Sequence, residues 1–154
     1  MSIEDDIAFF ERVPTFTVLG RAALRILAIG AESRYVHSGE VLFSAGDPAD
    51  SGFVVQEGAF SLTSRPTEGG DTVLVGRGTL IGELALLTET TRPVTATANE
   101  PSTVMRIPRS LFLKMLEGYP DAALKLRDII AKRTDDSARD IYGVRTILDD
   151  NARR

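Results

Sequence analysis

One short segment of the sequence combines the residue types that recognise an anion and a hydroxyl group. Gly82-Glu83 opens a run of good helix formers, Leu84-Ala85-Leu86-Leu87, and Arg92 follows shortly after that run. A short helix exposes free backbone N–H groups at its start, and those groups attract an anion. An arginine presents a fork of donors to the same anion, whereas a carboxylate repels it and accepts hydrogen bonds from hydroxyl groups. The segment therefore predicts a site for a ligand that carries both groups.

Strands on both sides have to hold this segment in place. Residues 35–107 contain short apolar runs separated by glycine-containing turns; the runs are Val41-Leu42-Phe43, Phe53-Val54-Val55, Phe60 with Leu62, Val73-Leu74-Val75, Val94 to Ala98 and Val104 to Ile107. Strands this short, at a spacing of about 8–12 residues, are typical of a sandwich or barrel. We therefore predict an eight-stranded jelly-roll β-barrel, or double-stranded β-helix. Gly58 lies between two of the runs and predicts a tight hairpin.

Helices are predicted on both sides of the barrel. Residues 1–34 carry apolar residues at helical spacing, and residues 108–150 return to that spacing. Pro120 suits the first position of a long C-terminal helix, which we expect to extend to about Asp149. The fold class is thus mainly β with flanking helices (α+β). A chain of 154 residues suits a single domain over 1–154.

Composition excludes several classes of site. The chain has no cysteine, which excludes disulfides, thiolate nucleophiles and cysteine-ligated metals. Its one histidine, His37, falls in an apparent turn, whereas a cupin-type metal site needs several histidines and a hydrolytic triad needs one beside a nucleophile. We therefore predict no metal site, no cofactor and no catalytic residue. A cupin-type metalloenzyme is an alternative that this composition disfavours.

Charge and hydropathy indicate a soluble protein. The net charge of −4 gives no overall attraction to nucleic acid or to an acidic membrane. The N-terminus, Met1 to Asp6, is acidic and lacks the basic start and apolar run of a signal peptide. No apolar run approaches the ~20 residues of a membrane span. The expected location is the cytoplasm, without membrane binding.

The segment over residues 81–96 resembles the phosphate-binding cassette of the cyclic nucleotide-binding domain family. It reads Gly-Glu-Leu-Ala-Leu-Leu, then four residues, then Arg-x-x-Thr-Ala, with the family spacing from Glu83 to Arg92. The family includes the catabolite activator protein, the regulatory subunits of protein kinase A and cyclic-nucleotide-gated channels. Weaker matches lie in the family's order over Ser38 to Asp47, Phe53 to Gly58 and Ile107 to Phe112.

The resemblance implies a role for each cassette residue. Glu83 would bind the ribose 2′-hydroxyl, and Arg92 would bind the exocyclic phosphate oxygens. Backbone groups at Gly82, Leu84 and Ala85 would complete the cradle. The alternative is that Glu83 and Arg92 only pair with each other on a loop, which contributes little.

Pro93 departs from the family pattern, which has a small residue or threonine after the arginine. Proline has no N–H, so one phosphate contact is expected to be lost. Pro93 also lacks the hydroxyl by which some members favour cyclic GMP. Cyclic AMP is therefore the expected ligand, with cyclic GMP as the alternative. Val94, which follows, completes the candidate ligand-binding positions.

The C-terminal helix carries one seam of side chains at 4-3-4-3-4 spacing: Ile130, Thr134, Ser137, Ile141, Val144 and Leu148. By analogy with the catabolite activator protein, this helix would form a homodimer and cover the purine. Ser137, ahead of Thr134, is then the expected purine contact. The alternative is an amphipathic helix that lies on the barrel of its own chain.

The resemblance implies a non-catalytic sensor or regulatory domain in signal transduction, with an effector protein that the sequence does not identify. Ligand binding would draw the cassette inward, and the C-terminal helix would cap the base. Family transcription factors carry a helix-turn-helix domain after this helix. The chain ends at Arg154 and is either freestanding or a fragment, and its two terminal arginines are too few for a DNA patch, so we expect no DNA binding. The alternative function is a degenerate, ligand-free module for protein interaction or dimerisation.

Overall fold

The computed structural model describes residues 2–64 and 72–139, with side chains described as far as Ile129. Within this part of the chain there are four α-helices: α1 (Ile3–Phe10), α2 (Arg21–Gly30), α3 (Arg109–Gly118) and α4 (Pro120–Arg139). Two 3₁₀ helices span Pro14–Val18 and Glu83–Leu86. Helix α4 begins at Pro120, as the sequence predicted for the long C-terminal helix. Its predicted extension to Asp149 lies outside the described residues.

The same part of the chain contains ten strands: β1 (Glu32–Val36), β2 (Val41–Phe43), β3 (Pro48–Ala49), β4 (Ser51–Glu57), β5 (Ala59–Thr63), β6 (Thr72–Gly76), β7 (Leu80–Ile81), β8 (Thr90–Thr91), β9 (Thr95–Ala98) and β10 (Ser102–Pro108). The predicted helical zone over 1–34 is three residues too long at its end. The Ala31 N–H closes α2 on the Leu27 carbonyl, and β1 then pairs with β10 from Glu32 onward.

The described strands form two four-stranded antiparallel sheets, in the orders β1-β10-β4-β7 and β2-β9-β5-β6, and a small ladder of β3 with β8. This arrangement confirms the mainly β, jelly-roll class with flanking helices. It corrects one detail, because the two sheets are not closed into a barrel by hydrogen bonds. Among the described strands, β7 pairs only with β4, so the first sheet ends at β7.

The predicted hairpin at Gly58 is wrong. Strand β4 pairs with β10 and β7, whereas β5 pairs with β9 and β6, so the chain passes from one sheet to the other at Gly58. Gly58 has φ +95°, and a Cβ there would lie 2.7 Å from the Cα of Ser102. The corner therefore requires glycine for its conformation and its space.

Two apolar clusters organise the molecule. The inner cluster lies between the two sheets and includes Phe43, Phe53 and Val94. The outer cluster joins the helices to the first sheet, and in it the ring of Phe16 meets Phe10 at 5.6 Å and Phe112 at 6.2 Å between centroids. The predicted cassette connects the two, because Val94 lies in the inner cluster and Leu86 in the outer one.

Candidate anion-binding site

The cassette turn connects β7 to β8. Gly82 adopts the left-handed conformation with φ +84° and ψ 38°, and the 3₁₀ helix Glu83–Leu86 follows it directly. Ala85 and Leu86 are buried, which anchors the turn, whereas Leu84 is 53% exposed. The Ala85 N–H donates to the Gly82 carbonyl at 3.2 Å, so one group of the predicted cradle has an internal partner.

Arg92 is anchored through its backbone and lies with its side chain at the inner cluster. Its N–H donates to the Asp47 carbonyl at 2.8 Å, and its carbonyl accepts from the Gly46 N–H at 2.8 Å. The Cζ atom lies 4.3 Å from the ring centroid of Phe43 and 5.4 Å from that of Phe53. These distances are those of cation–π contacts, so the two aromatic rings hold the guanidinium between the sheets.

The Arg92 guanidinium is buried and largely unpaired. The residue is 5% exposed, and its Nε and Nη1 atoms have no hydrogen-bond partner among the described residues. Its Nη2 donates weakly to Ser51 Oγ at 3.4 Å. Burial lowers the pKa of Arg92, although the charge of Asp50 opposes that shift, and a guanidinium remains cationic at neutral pH. A buried cation with free donors is unfavourable alone and is well matched to an anion.

Gly82 leaves the space that the guanidinium occupies. A Cβ at this position would lie 2.5 Å from Arg92 Nη1 and 3.4 Å from the Ser51 carbonyl oxygen. The structure therefore brings two of the predicted site residues, Gly82 and Arg92, close together. Ser51, Phe43 and Phe53 complete this arrangement, and the sequence reasoning did not assign them to the site. In the sequence, these residues are recognisable only as members of predicted strands or their edges, and nothing there indicates that they contact Arg92.

Glu83 lies against the N-terminal 3₁₀ helix. The Thr15 hydroxyl, from Pro14–Val18, donates to Glu83 Oε2. Both residues line a cavity of about 250 Å³ together with Gly78, Thr79 and Leu80. Because Nε and Nη1 of Arg92 are unpartnered, neither atom is bonded to the Glu83 carboxylate. The structure thus holds the two charged cassette residues on different partners.

The remaining predicted positions differ in their placement. Pro93 is exposed, whereas Val94 is 7% exposed and packs in the inner cluster. Ser137 and Thr134 lie in α4, beyond the last residue whose side chain is described. The described residues include no group of three or more His, Cys, Asp or Glu side chains able to hold a metal ion. They also include no helix with the length and apolar character needed to cross a membrane.

Arg109 ties the cassette turn to the helices. It is the first residue of α3, its Nε donates to the Ala85 carbonyl at 2.9 Å, and its Nη2 donates to the Ala49 carbonyl. Its backbone N–H donates to the Asp50 carbonyl at 2.8 Å. The cassette turn is therefore hydrogen-bonded directly to the first residue of α3.

Replacing Arg109 with methionine is expected to lower the free energy of unfolding by about 1–2 kcal/mol, because two backbone carbonyls lose a charged donor. Arg25→Met is the matched control, since Arg25 pairs with Glu4 on the surface, where both side chains are more than half exposed. We expect the control to cost less than about 0.5 kcal/mol in urea unfolding. Equal losses of unfolding free energy in the two variants would show that the hydrogen bonds of Arg109 to Ala85 and Ala49 do not stabilise the fold.

Two facing sheets, a short 3₁₀ turn between strands and a buried arginine with two unpartnered nitrogens among the described residues define a jelly-roll domain with a candidate anion site. A family model described as the cyclic nucleotide-binding domain matches residues 33–119, more than half of the chain. The chain therefore belongs to the cyclic nucleotide-binding domain family.

Solved structures agree with this assignment. A cyclic nucleotide-binding-like protein from Brucella abortus is 38% identical with a TM-score of 0.66, and the match covers 73% of this chain and 98% of that one. The N-terminal domain of a transcriptional regulator from Streptomyces coelicolor is 27% identical with a TM-score of 0.74, over 86% and 94% of the two chains. The catabolite activator protein of Thermus thermophilus is 25% identical with a TM-score of 0.70, over 83% and 61%.

Curated relatives include much longer proteins. Lysophospholipase NTE1 of Chaetomium globosum is 35% identical over 100 residues, which is 64% of this chain and 7% of that protein. The chain thus spans about 7% of the length of such a relative. The likeness concerns this domain and not the remainder of the lysophospholipase.

Proposed function

We propose that this domain binds cyclic AMP in preference to cyclic GMP, without catalysis, as a regulatory element. The observation that carries the proposal is the buried Arg92 guanidinium, whose Nε and Nη1 lack partners among the described residues. A cyclic phosphodiester has one negative charge and two exocyclic oxygens, so it can accept from one forked edge of the guanidinium, Nη2 together with either Nε or Nη1. Binding would replace an unpaired buried cation by a neutral, hydrogen-bonded pair.

The proposed ligand contacts follow from the placement of the cassette. Arg92 holds the phosphate, and the backbone of Gly82, Leu84 and Ala85 surrounds it. The Ala85 N–H reaches a phosphate oxygen as a three-centre bond, since it also serves the Gly82 carbonyl. The Glu83 carboxylate turns away from Thr15 and accepts a hydrogen bond from the ribose 2′-hydroxyl. In this proposal no cofactor or metal takes part.

Three further positions belong to the same proposal. Pro93 contributes no N–H, which removes one phosphate donor. Val94 presents an apolar surface to the ligand from the inner cluster. Ser137, on α4, contacts the purine when that helix covers the base.

The wider role is proposed by analogy with the family. The domain acts in the cytoplasm as a sensor in signal transduction, over residues 1–154 as one unit, and pairs with a second copy through the C-terminal helix. Ligand binding shifts the population toward a state in which the cassette is drawn in and α4 caps the base. The output passes to an effector protein, without DNA or membrane binding by this domain.

Isothermal titration of the purified domain with cyclic AMP tests the proposal. We expect saturable heat with one ligand per chain, and weaker binding of cyclic GMP. Adenosine 5′-monophosphate is the matched control ligand, because it keeps the base and ribose but opens the phosphodiester ring. The absence of heat at tens of micromolar cyclic AMP would overturn the binding proposal.

The second candidate is a ligand-free module for dimerisation or protein interaction. Two observations favour it: Pro93 lacks an N–H for the phosphate, and Leu84 exposes an apolar side chain on the cassette turn. Light scattering separates the candidates when it is combined with the titration. A stable dimer that ignores millimolar cyclic AMP supports the interaction module.

A further inference from the structure

The carboxylate assigned to the ribose is held by a residue far from the cassette in sequence. Thr15 precedes Glu83 by 68 residues, and its hydroxyl donates a hydrogen bond to Glu83 Oε2. Thr15 is 3% exposed, so its hydroxyl cannot turn to bulk water without movement of the surrounding chain. The contact therefore holds the carboxylate that is assigned to the ribose against the N-terminal 3₁₀ helix.

We propose that Thr15 sets the ligand affinity of the cassette by competing with the ribose 2′-hydroxyl for the Glu83 carboxylate. This inference rests on the proposed function, because it assigns Glu83 to the ribose. The anion site lies where Arg92 Nη1 approaches Gly82, whereas Thr15 belongs to the N-terminal 3₁₀ helix. A ligand held at Arg92 gains the Glu83 contact only when the carboxylate turns away from Thr15.

The competition connects ligand binding to the helices. Phe16, the neighbour of Thr15, is fully buried and packs against Phe10 and against Phe112 of α3. Leu86 of the cassette turn lies in the same outer cluster, and the 3₁₀ helix Pro14–Val18 also contacts α4. The Thr15–Glu83 hydrogen bond is therefore a polar link across an interface that also has apolar contacts. Its release changes how the N-terminal helices hold the cassette.

Thr15→Val tests the competition, since valine keeps the branched shape and removes the hydroxyl. We expect the dissociation constant for cyclic AMP to fall by about 10-fold or more, in keeping with the loss of one competing hydrogen bond to a charged group. Thr15→Ser retains the hydroxyl and is the matched control, with an affinity within about twofold of the wild type. A merely structural role for Thr15 predicts the opposite result, weaker binding by the valine variant.

A second measurement examines the contact without any ligand. Urea unfolding of Thr15→Val, Glu83→Leu and the double variant forms a cycle in which coupled residues give non-additive losses, because valine and leucine can neither donate nor accept the hydrogen bond. We expect the double variant to lose less stability than the two single variants together. Additive losses would overturn the contact, even if the nucleotide affinities changed.

The outcomes separate this inference from the function on which it rests. If the wild type binds cyclic AMP and Thr15→Val binds no more tightly, the competition is wrong and the proposed function stands. If only Thr15→Val binds, the competition is supported, and the binding proposal fails for the wild type and holds for the variant. If neither protein binds and both remain folded by circular dichroism, the proposed function fails and the affinity role of Thr15 fails with it.

Discussion

Replacing Arg92 with alanine is expected to weaken cyclic AMP binding by about 100-fold or more. The buried guanidinium, whose Nε and Nη1 lack partners among the described residues, is proposed to donate two hydrogen bonds to the phosphate through one forked edge, and each hydrogen bond to a charged group contributes about 1.5–3 kcal/mol. The low polarity between the sheets increases the effect, because Phe43 and Phe53 surround the group in place of water. Titration calorimetry on wild type and variant measures the ratio directly.

Two other substitutions at this position distinguish binding from folding. Arg92→Lys keeps a cation but loses the planar fork, so its affinity should lie between those of the wild type and the alanine variant. Arg92→Met fills a similar volume without charge and should raise the ligand-free unfolding free energy by about 1 kcal/mol, since it removes a buried cation that forms no salt bridge with the described residues. A large loss of stability in Arg92→Met, with unchanged nucleotide affinity, would show that Arg92 is structural instead.

Replacing Gly82 with alanine is expected to reduce both stability and affinity. The residue has φ +84°, where a Cβ costs about 1–3 kcal/mol, and its Cβ would lie 2.5 Å from Arg92 Nη1. The guanidinium then has to leave its position between the turn and the aromatic rings. We expect cyclic AMP binding to weaken by about 10-fold or more, in proportion to the donors displaced from the phosphate.

Gly39→Ala is the matched control for this change. Gly39 has φ +85°, but a Cβ there would meet no atom within 4 Å. Urea unfolding should therefore show a similar backbone penalty in both variants, whereas titration should show lost affinity only in Gly82→Ala. Equal affinities in the two variants would mean that the close approach of Gly82 to Arg92 has no part in binding.

Much of the fold followed from local patterns. Short apolar runs between glycine-containing turns predicted the strands, and Pro120 predicted the start of α4, because periodicity and helix-start chemistry are properties of neighbouring residues. The predicted hairpin at Gly58 was wrong because it, too, was inferred from neighbouring residues alone. Two runs around a glycine look alike whether the second strand pairs with the first or crosses to the opposite sheet, and only the pairings of β4 and β5 distinguish the two.

The sequence by itself determined the cassette. The order of residue types from Gly82 to Arg92 and their spacing predicted an anion site, and their resemblance to a known cassette indicated the family. Only the tertiary structure decided what those groups contact. Burial between Phe43 and Phe53 leaves Arg92 Nε and Nη1 without partners among the described residues, and packing of the N-terminal 3₁₀ helix brings Thr15 to Glu83. Such partners come from segments distant in sequence, and hydrophobic packing of whole elements, not local spacing, places them side by side.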